Sequence, residues 1–271
     1  MPELPEVETT ARGIRPHVAG QTVSKVIVRN PKLRWPVPEN LAERLTQQRI
    51  QSIERRGKYL LFKTQHGHQL LHLGMSGSLR VLPADTAAGK HDHIDWQLES
   101  GQLLRLNDPR RFGSVLWTEE TPEQHPLLAS LGPEPLGEHF HDDYLWQKSR
   151  GRKQNVKTFI MDSKLVVGVG NIYASESLFL AGIRPTTQAG RVSKARYVAL
   201  TQAIKQTLAK AIDAGGTTLK DFNQVDGKPG YFKQELNVYG RAAEPCTTCG
   251  TPISNKVLNQ RMTYWCPSCQ K

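Results

Sequence analysis

Long apolar runs are missing from this chain of 271 residues. The richest stretch lies around Leu165-Val166-Val167, far short of the ~18 residues a membrane-spanning helix needs. A secretory leader is missing too: Glu3, Glu6 and Glu8 stand where a basic segment and an apolar core would have to be. A reducing cytoplasm is therefore the expected compartment. Cysteine is absent until the last 26 residues, which hold all four: Cys246, Cys249, Cys266 and Cys269. That distribution argues against a disulfide framework and toward metal. Internal repeats and low-complexity tracts are also lacking.

What is abundant is positive charge. Lysine and arginine number 36 against 25 acids, a net +11. Such an excess draws a protein to polyanions, nucleic acid first and anionic membrane second. The length allows two modest domains, each with its own core.

The first half reads as β-structure. Short apolar segments at Val23–Val28, Ile50–Phe62, Leu70–Val81, His93–Leu98, Leu103–Leu106 and Val115–Trp117 are separated by Gly, Pro and Asn. Glu99-Ser100-Gly101-Gln102 predicts a hairpin turn between two of them, and the series predicts a sandwich or flattened barrel. A helix from about Pro5 to Gly20, with acids in its first turn, precedes the strands. After Leu131-Gly132-Pro133-Glu134-Pro135 the period changes. Tyr197, Leu200, Ile204, Leu208 and Ala211 fall at helical spacing, with Ser193 placed to cap the helix and Gly215 to end it. A loop rich in glycine and polar residues runs from Gly215 to Gly230.

The cysteines form two CxxC pairs separated by 16 residues. Each pair can place two thiolates on one tetrahedral ion while the intervening segment folds as a hairpin. Four soft ligands with no open position predict one structural Zn²⁺. Within that hairpin, Asn259-Gln260-Arg261 forms the turn region, so Arg261 should project from its tip, able to meet phosphates.

At the other end, Pro2 follows the initiator methionine. Once Met1 is removed it would present a secondary amine titrating near ~7.7–8.0, so a useful fraction is unprotonated at neutral pH. Attack of such an amine on a sugar's anomeric carbon gives an iminium ion, an electron sink, with Glu3 and Glu6 close in sequence to move protons.

Several long segments, Pro2-Glu3-Leu4-Pro5-Glu6-Val7-Glu8-Thr9, Arg55-Arg56-Gly57-Lys58-Tyr59-Leu60, His72-Leu73-Gly74-Met75-Ser76-Gly77 and Lys90-His91-Asp92-His93, closely resemble the formamidopyrimidine-DNA glycosylases. So do Asp108-Pro109-Arg110-Arg111-Phe112-Gly113, Gly168 to Glu176, the loop Gly215 to Phe232 and the cysteine module. The resemblance runs the length of the chain. It implies an α+β fold in three parts: an amino-terminal β-sandwich with flanking helices (1–132), a helix–two-turns–helix domain (133–235) and a carboxy-terminal zinc-finger β-hairpin (236–271). DNA would cross the cleft between the halves, and the chain would act as a monomer.

By motif position, the resemblance makes Pro2 the Schiff-base nucleophile and Glu3 the acid that opens the sugar ring. Lys58 would hold a phosphate and supply a proton for β-elimination, and Arg261 would do the same for δ-elimination. His91, Arg110, Arg152 and Asn171 would contact the DNA backbone or partner strand, with Lys157 near the lesion. The expected substrates are 8-oxoguanine paired with cytosine and ring-opened formamidopyrimidines. A base inside the stack must be flipped before its sugar can be attacked, which costs a few kcal/mol. Met75 and Phe112 then serve as apolar wedges and Arg110 satisfies the widowed base. The Gly-Val-Gly-Asn segment ending at Asn171 can bring backbone amides close to phosphate at a helix start. Two rivals remain at this point: a relative of the endonuclease VIII type acting on oxidised pyrimidines, and a non-catalytic zinc-finger DNA-binding protein.

Overall fold

The computed structural model describes residues 2–215 and 236–271. The glycine-rich, polar loop expected from Gly215 to Gly230 lies, from residue 216 onward, outside the described residues. The chain divides into two compact units: one reaches Ala129, and the other joins Ser130–Asp213 to the carboxy-terminal segment.

Helix α1 (Leu4–Val18) opens the first unit, within two residues of the expected span. A reciprocal capping box starts it, with the Glu3 carboxylate taking the Glu6 backbone N–H and Glu6 Oε2 taking the Glu3 N–H at 2.8 Å. Leu4, Val7, Ala11, Ile14 and Val18 recur at spacings of three and four and are all buried.

Two four-stranded antiparallel sheets follow. One is built from β1 (Val23–Val28), β6 (Asp92–Leu98), β7 (Gln102–Asn107) and β5 (Ser78–Pro83), in that order. The other runs β2 (Ser52–Arg56), β3 (Tyr59–Lys63), β4 (His68–His72) and β8 (Ser114–Thr118). A short helix, α2 (Leu41–Leu45), packs beside β1. The apolar core between the sheets includes Phe62, Leu71, Ile94, Trp96, Leu104, Leu106 and Val115. Trp96 Nε1–H meets Gln69 Oε1 at 2.9 Å, so the one polar edge of the indole is satisfied where it is buried.

The β6–β7 turn falls at Gly101, as its sequence predicts, with the left-handed φ of +79° that glycine adopts freely. Two expected strands are each two strands. Ile50–Phe62 breaks at Gly57-Lys58, where Arg56 pairs with Tyr59 across a two-residue turn. Leu70–Val81 breaks at Gly74 to Gly77, and there the chain crosses from one sheet to the other. Continuous apolar patterning hides such breaks, because both halves bury the same kind of face. Both turns carry residues marked by sequence for function, Lys58 and Met75.

A short helix, α3 (Pro126–Ala129), ends the first stretch of the first unit; the helices of the second are α4 (Tyr144–Ser149), α5 (Val156–Ile160), α6 (Asn171–Leu180) and α7 (Lys194–Asp213). Ser193 caps α7 through Oγ, which accepts the Arg196 N–H at 3.4 Å. The stripe from Tyr197 to Ala211 is fully buried, against α6 among others. The same unit includes the hairpin of β9 (Ser254–Leu258) and β10 (Arg261–Trp265).

Candidate nucleic-acid interface and metal centre

Pro2, Glu3 and Glu6 are all buried at the head of α1. The next acid along, Glu8, receives Arg55 Nε at 2.9 Å and Arg12 Nε at 3.0 Å. Burial pushes the Glu8 carboxyl upward, but these two guanidinium groups outweigh it and hold it below the usual range. Arg55 also donates to the Gly57 carbonyl at 3.0 Å. One arginine thus ties the start of α1 to the turn that carries Lys58.

Beside Lys58 lies a residue to which sequence reasoning gave no role. His72 Nδ1 accepts the Gly74 N–H at 2.9 Å, which leaves Nε2 as the protonated nitrogen. Its ring packs edge-on against Tyr59 at 4.8 Å. Burial, with the Lys58 and Arg34 charges, lowers its pKa to about 4, so it is a neutral donor at pH 7. Only its place in a shared motif marked it in the sequence.

Met75 and Phe112 are 37% and 43% exposed, so neither is a core residue. The loops bearing them touch backbone to backbone. A Cβ at Gly74, where φ is +66°, would sit 2.3 Å from the Phe112 carbonyl carbon. Asp108, fully buried, joins the two loops: Oδ1 accepts from Ser76 Oγ and Oδ2 from the Gly113 N–H, both at 2.8 Å. Ser76 Oγ in turn accepts the Arg110 N–H at 3.3 Å. Met75, Arg110 and Phe112, grouped in the sequence reading from two separate motifs, stand on loops that the fold sets on one bonded scaffold. His91, half-exposed, is linked to it as well, since its carbonyl accepts the Asp108 N–H at 3.0 Å.

In the second unit Asn171 is the first residue of α6. Its Oδ1 accepts from Lys157 Nζ at 2.5 Å, and its Nδ2 donates to the Met262 carbonyl at 3.1 Å. Lys157 is 2% exposed and also reaches Thr263 Oγ1 at 2.7 Å. Its ammonium is therefore held inside the unit, joining α5, α6 and β10. Arg152 and Arg261 are exposed. Asn259 and Gln260 form the hairpin turn with φ of +46° and +61°, so Arg261 opens β10 beside the apex instead of crowning it. Arg261, Lys157, Thr158 and Asn259 line a cleft of ≈ 300 Å³.

The four cysteine sulfurs lie within 4.8 Å of one another. Cys246 to Cys269 is 3.9 Å and Cys249 to Cys266 3.5 Å. A tetrahedron with Zn–S bonds of ~2.3 Å has edges of about 3.8 Å, so the set fits one zinc ion. Backbone N–H groups of Thr248 and Cys269 point at the Cys246 and Cys266 sulfurs, both at 3.4 Å. A buried acid anchors the chain as it enters this module: Glu176 accepts the N–H groups of Asn237, Val238 and Tyr239 at 2.8 to 2.9 Å. Glu176, too, was visible in the sequence only as part of a motif.

An N-terminal helix headed by a proline and two buried acids, a sandwich with exposed apolar residues on its loops, and a hairpin flanked by four converging cysteines together define a nucleic-acid-handling protein. Comparison with known proteins specifies which. Residues 1–115 match the formamidopyrimidine-DNA glycosylase N-terminal domain, residues 131–223 its H2TH domain, and residues 243–271 the zinc finger found in FPG and IleRS. The formamidopyrimidine-DNA glycosylase of Stutzerimonas stutzeri is 59% identical, and that of Syntrophotalea carbinolica 58%, each over the whole of both chains. The crystal structure of the MutM (FPG) protein from Thermus thermophilus superposes with a TM-score of 0.89 at 37% identity, covering 99% of this chain and 98% of that one. A Lactococcus lactis FPG mutant in complex with DNA containing Fapy-dG gives 0.92 at 34%, covering all of both. The chain belongs to the formamidopyrimidine-DNA glycosylase family, and its four cysteines hold one structural zinc ion. Among the described residues, no helix is long and apolar enough to cross a membrane.

Proposed function

We propose that this chain is a DNA glycosylase and abasic-site lyase that excises oxidised purines from duplex DNA through a Schiff base on Pro2. The observation that carries the reading is the head of α1, where Pro2 is buried with Glu3 and Glu6 in a chain that matches the family along its length. The Pro2 amine attacks C1′ of the damaged nucleotide, the base leaves, and Glu3 protonates the ring oxygen as the sugar opens. The resulting iminium withdraws electrons so that the 3′ phosphate departs by β-elimination and the 5′ phosphate by δ-elimination. Both strand ends are then phosphorylated.

The remaining roles are those of the matching family motifs, and the surroundings of these residues support them. Lys58, next to neutral His72, holds a phosphate and supplies a proton for β-elimination; exposed Arg261 does so for δ-elimination. Met75 and Phe112 fill the space left by the flipped base, with Arg110 on the widowed partner. His91, Arg152 and Asn171 take the DNA backbone. Lys157 acts beside the lesion region through Asn171, which it holds. Acting on chromosomal DNA puts the protein in the cytoplasm, at the nucleoid.

Incubation with an 8-oxoguanine:cytosine duplex and with a thymine-glycol duplex tests the proposal. Faster release of 8-oxoguanine, with phosphate on both ends of the nick, supports it. A preference for thymine glycol would move the chain to the endonuclease VIII type, and binding without any nick would make it a non-catalytic binder.

A further inference from the structure

Arg105 is a charged residue flanked along its strand by Leu104 and Leu106. On β7 the side chains of Leu104 and Leu106 join the core between the sheets. Period-two alternation puts Arg105 on the opposite, outer face. Outer faces of antiparallel sheets are normally wet. Yet Arg105 is 2% exposed.

Every donor of this guanidinium is aimed at an acceptor. Nε and Nη2 form a two-pronged bond to Asp95 on β6, both at 2.8 Å, across a directly paired register. Nη2 also donates to the Thr86 carbonyl and Nη1 to the Ala87 carbonyl, again at 2.8 Å each. Nη1 lies 3.5 Å from Asp92 Oδ2. That oxygen in turn accepts the Gly89 N–H at 2.7 Å, and Asp92 Oδ1 accepts from Asn107 Nδ2 at 2.7 Å. Burial pushes the Asp95 carboxyl upward, but Arg105 and Arg29 more than offset it, so the pair stays charged.

The loop joining β5 to β6, residues 84–91, has few anchors of its own. Residues 87 to 90 are exposed. Its described ties are the Ala84 N–H to the Gly101 carbonyl, a Pro83–Thr86 turn, the Gly89–Asp92 turn and the His91 carbonyl taking the Asp108 N–H. At its middle, Thr86 and Ala87 are held by Arg105. This loop ends in Lys90 and His91.

We propose that Arg105 is a positioning residue for DNA binding, fixing from beneath the loop that presents Lys90 and His91 to the DNA backbone. The inference rests on the role given to His91 above. Arginine is required because one planar group must serve a carboxylate and two carbonyls at once; lysine brings the charge but a single point of donation.

The test uses the full-length, zinc-loaded protein and a duplex containing a tetrahydrofuran abasic analogue, with affinity measured against salt. Lys90→Ala/His91→Ala should lower the salt slope by about 1 to 2, one per lost phosphate contact. Arg105→Lys should weaken binding in the same direction, roughly 3- to 10-fold. At a true abasic site it should raise KM while leaving kcat near its original value. Added to the loop double variant, it should cost nothing further. Additive losses, or an unchanged KM with a lowered kcat, would overturn the inference. Should Arg105→Lys fold poorly, Gly89→Pro deletes the exposed donor to Asp92 instead and must show the same non-additivity. If the loop double variant itself binds normally, the His91 assignment fails and this inference falls with it, while strand nicking at 8-oxoguanine remains as a separate test of the enzyme class.

Discussion

The Arg110 guanidinium lies over the Phe112 ring, its central carbon 4.9 Å from the ring centroid. This cation–π contact holds a flexible arginine above an exposed aromatic, which on the role proposed for the pair would reduce the ordering cost of binding DNA. Buried Asp108 ties the Met75 loop to the Phe112 loop through Ser76 and Gly113, so the proposed wedge residues stand on one bonded scaffold. Met75→Ala should slow excision from an intact duplex, by no more than the few kcal/mol that flipping costs. The deficit should shrink when the lesion faces a mismatch, and cleavage at a ready-made abasic site should suffer least. Thermal stability should barely change, because Met75 is already 37% exposed. Equal losses on all substrates with a large fall in melting temperature would make Met75 a core residue, for which truncation costs ~2–5 kcal/mol.

His72 carries a pH signature. Its folded pKa of about 4 lies below the ordinary 6.5, so the unfolded chain binds the extra proton between those values. Its contribution to stability is complete above about pH 6.5 and is lost as pH falls toward 4. His72→Asn keeps an acceptor for the Gly74 N–H but cannot titrate, and should flatten that part of the stability curve. Denaturant titrations between pH 4 and 7 read this directly, and an unchanged slope would mean His72 does not titrate there.

The zinc module should fold only with its metal. Chelation, or Cys249→Ser, should unfold the β9–β10 hairpin and abolish DNA binding while amides of the β-sandwich remain protected from exchange. A hairpin that keeps its protection without zinc would show that the metal is dispensable to its structure.

At the hairpin apex, Gln260 pays for a left-handed backbone that suits glycine. Gln260→Gly should stabilise the hairpin by about 0.5–1 kcal/mol. Arg261→Ala, two residues from Asn259, should leave stability unchanged and lower the salt slope of DNA binding by about 1. A slope equal to that of the unaltered protein would place Arg261 away from phosphate.

Much of this was legible in the sequence, for physical reasons. The α1 stripe, the Ser193 cap and the Gly101 turn depend on local chemistry, and each appears where its residues put it. The cysteine spacing predicts a tetrahedral site, and the sulfurs converge. The corner at Gly74–Gly77 was hidden because apolar patterning runs through it. The contacts that organise the site were hidden for another reason: Asp108 to Ser76, Glu176 to Asn237, His72 to Tyr59 and Arg105 to Asp95 and Thr86 each span 10 or more residues of sequence, to partners that only folding brings near. Arg105 in particular reads as a surface residue of an amphipathic strand until the loop above it is seen.

The central claim is that Pro2 carries the chemistry. Borohydride added during reaction with an 8-oxoguanine:cytosine duplex should reduce the iminium to a permanent protein–DNA cross-link. Peptide mapping should find the link on Pro2, and protein retaining Met1 should form none. A cross-link on Lys58, or trapping undiminished when Met1 is retained, would contradict the account.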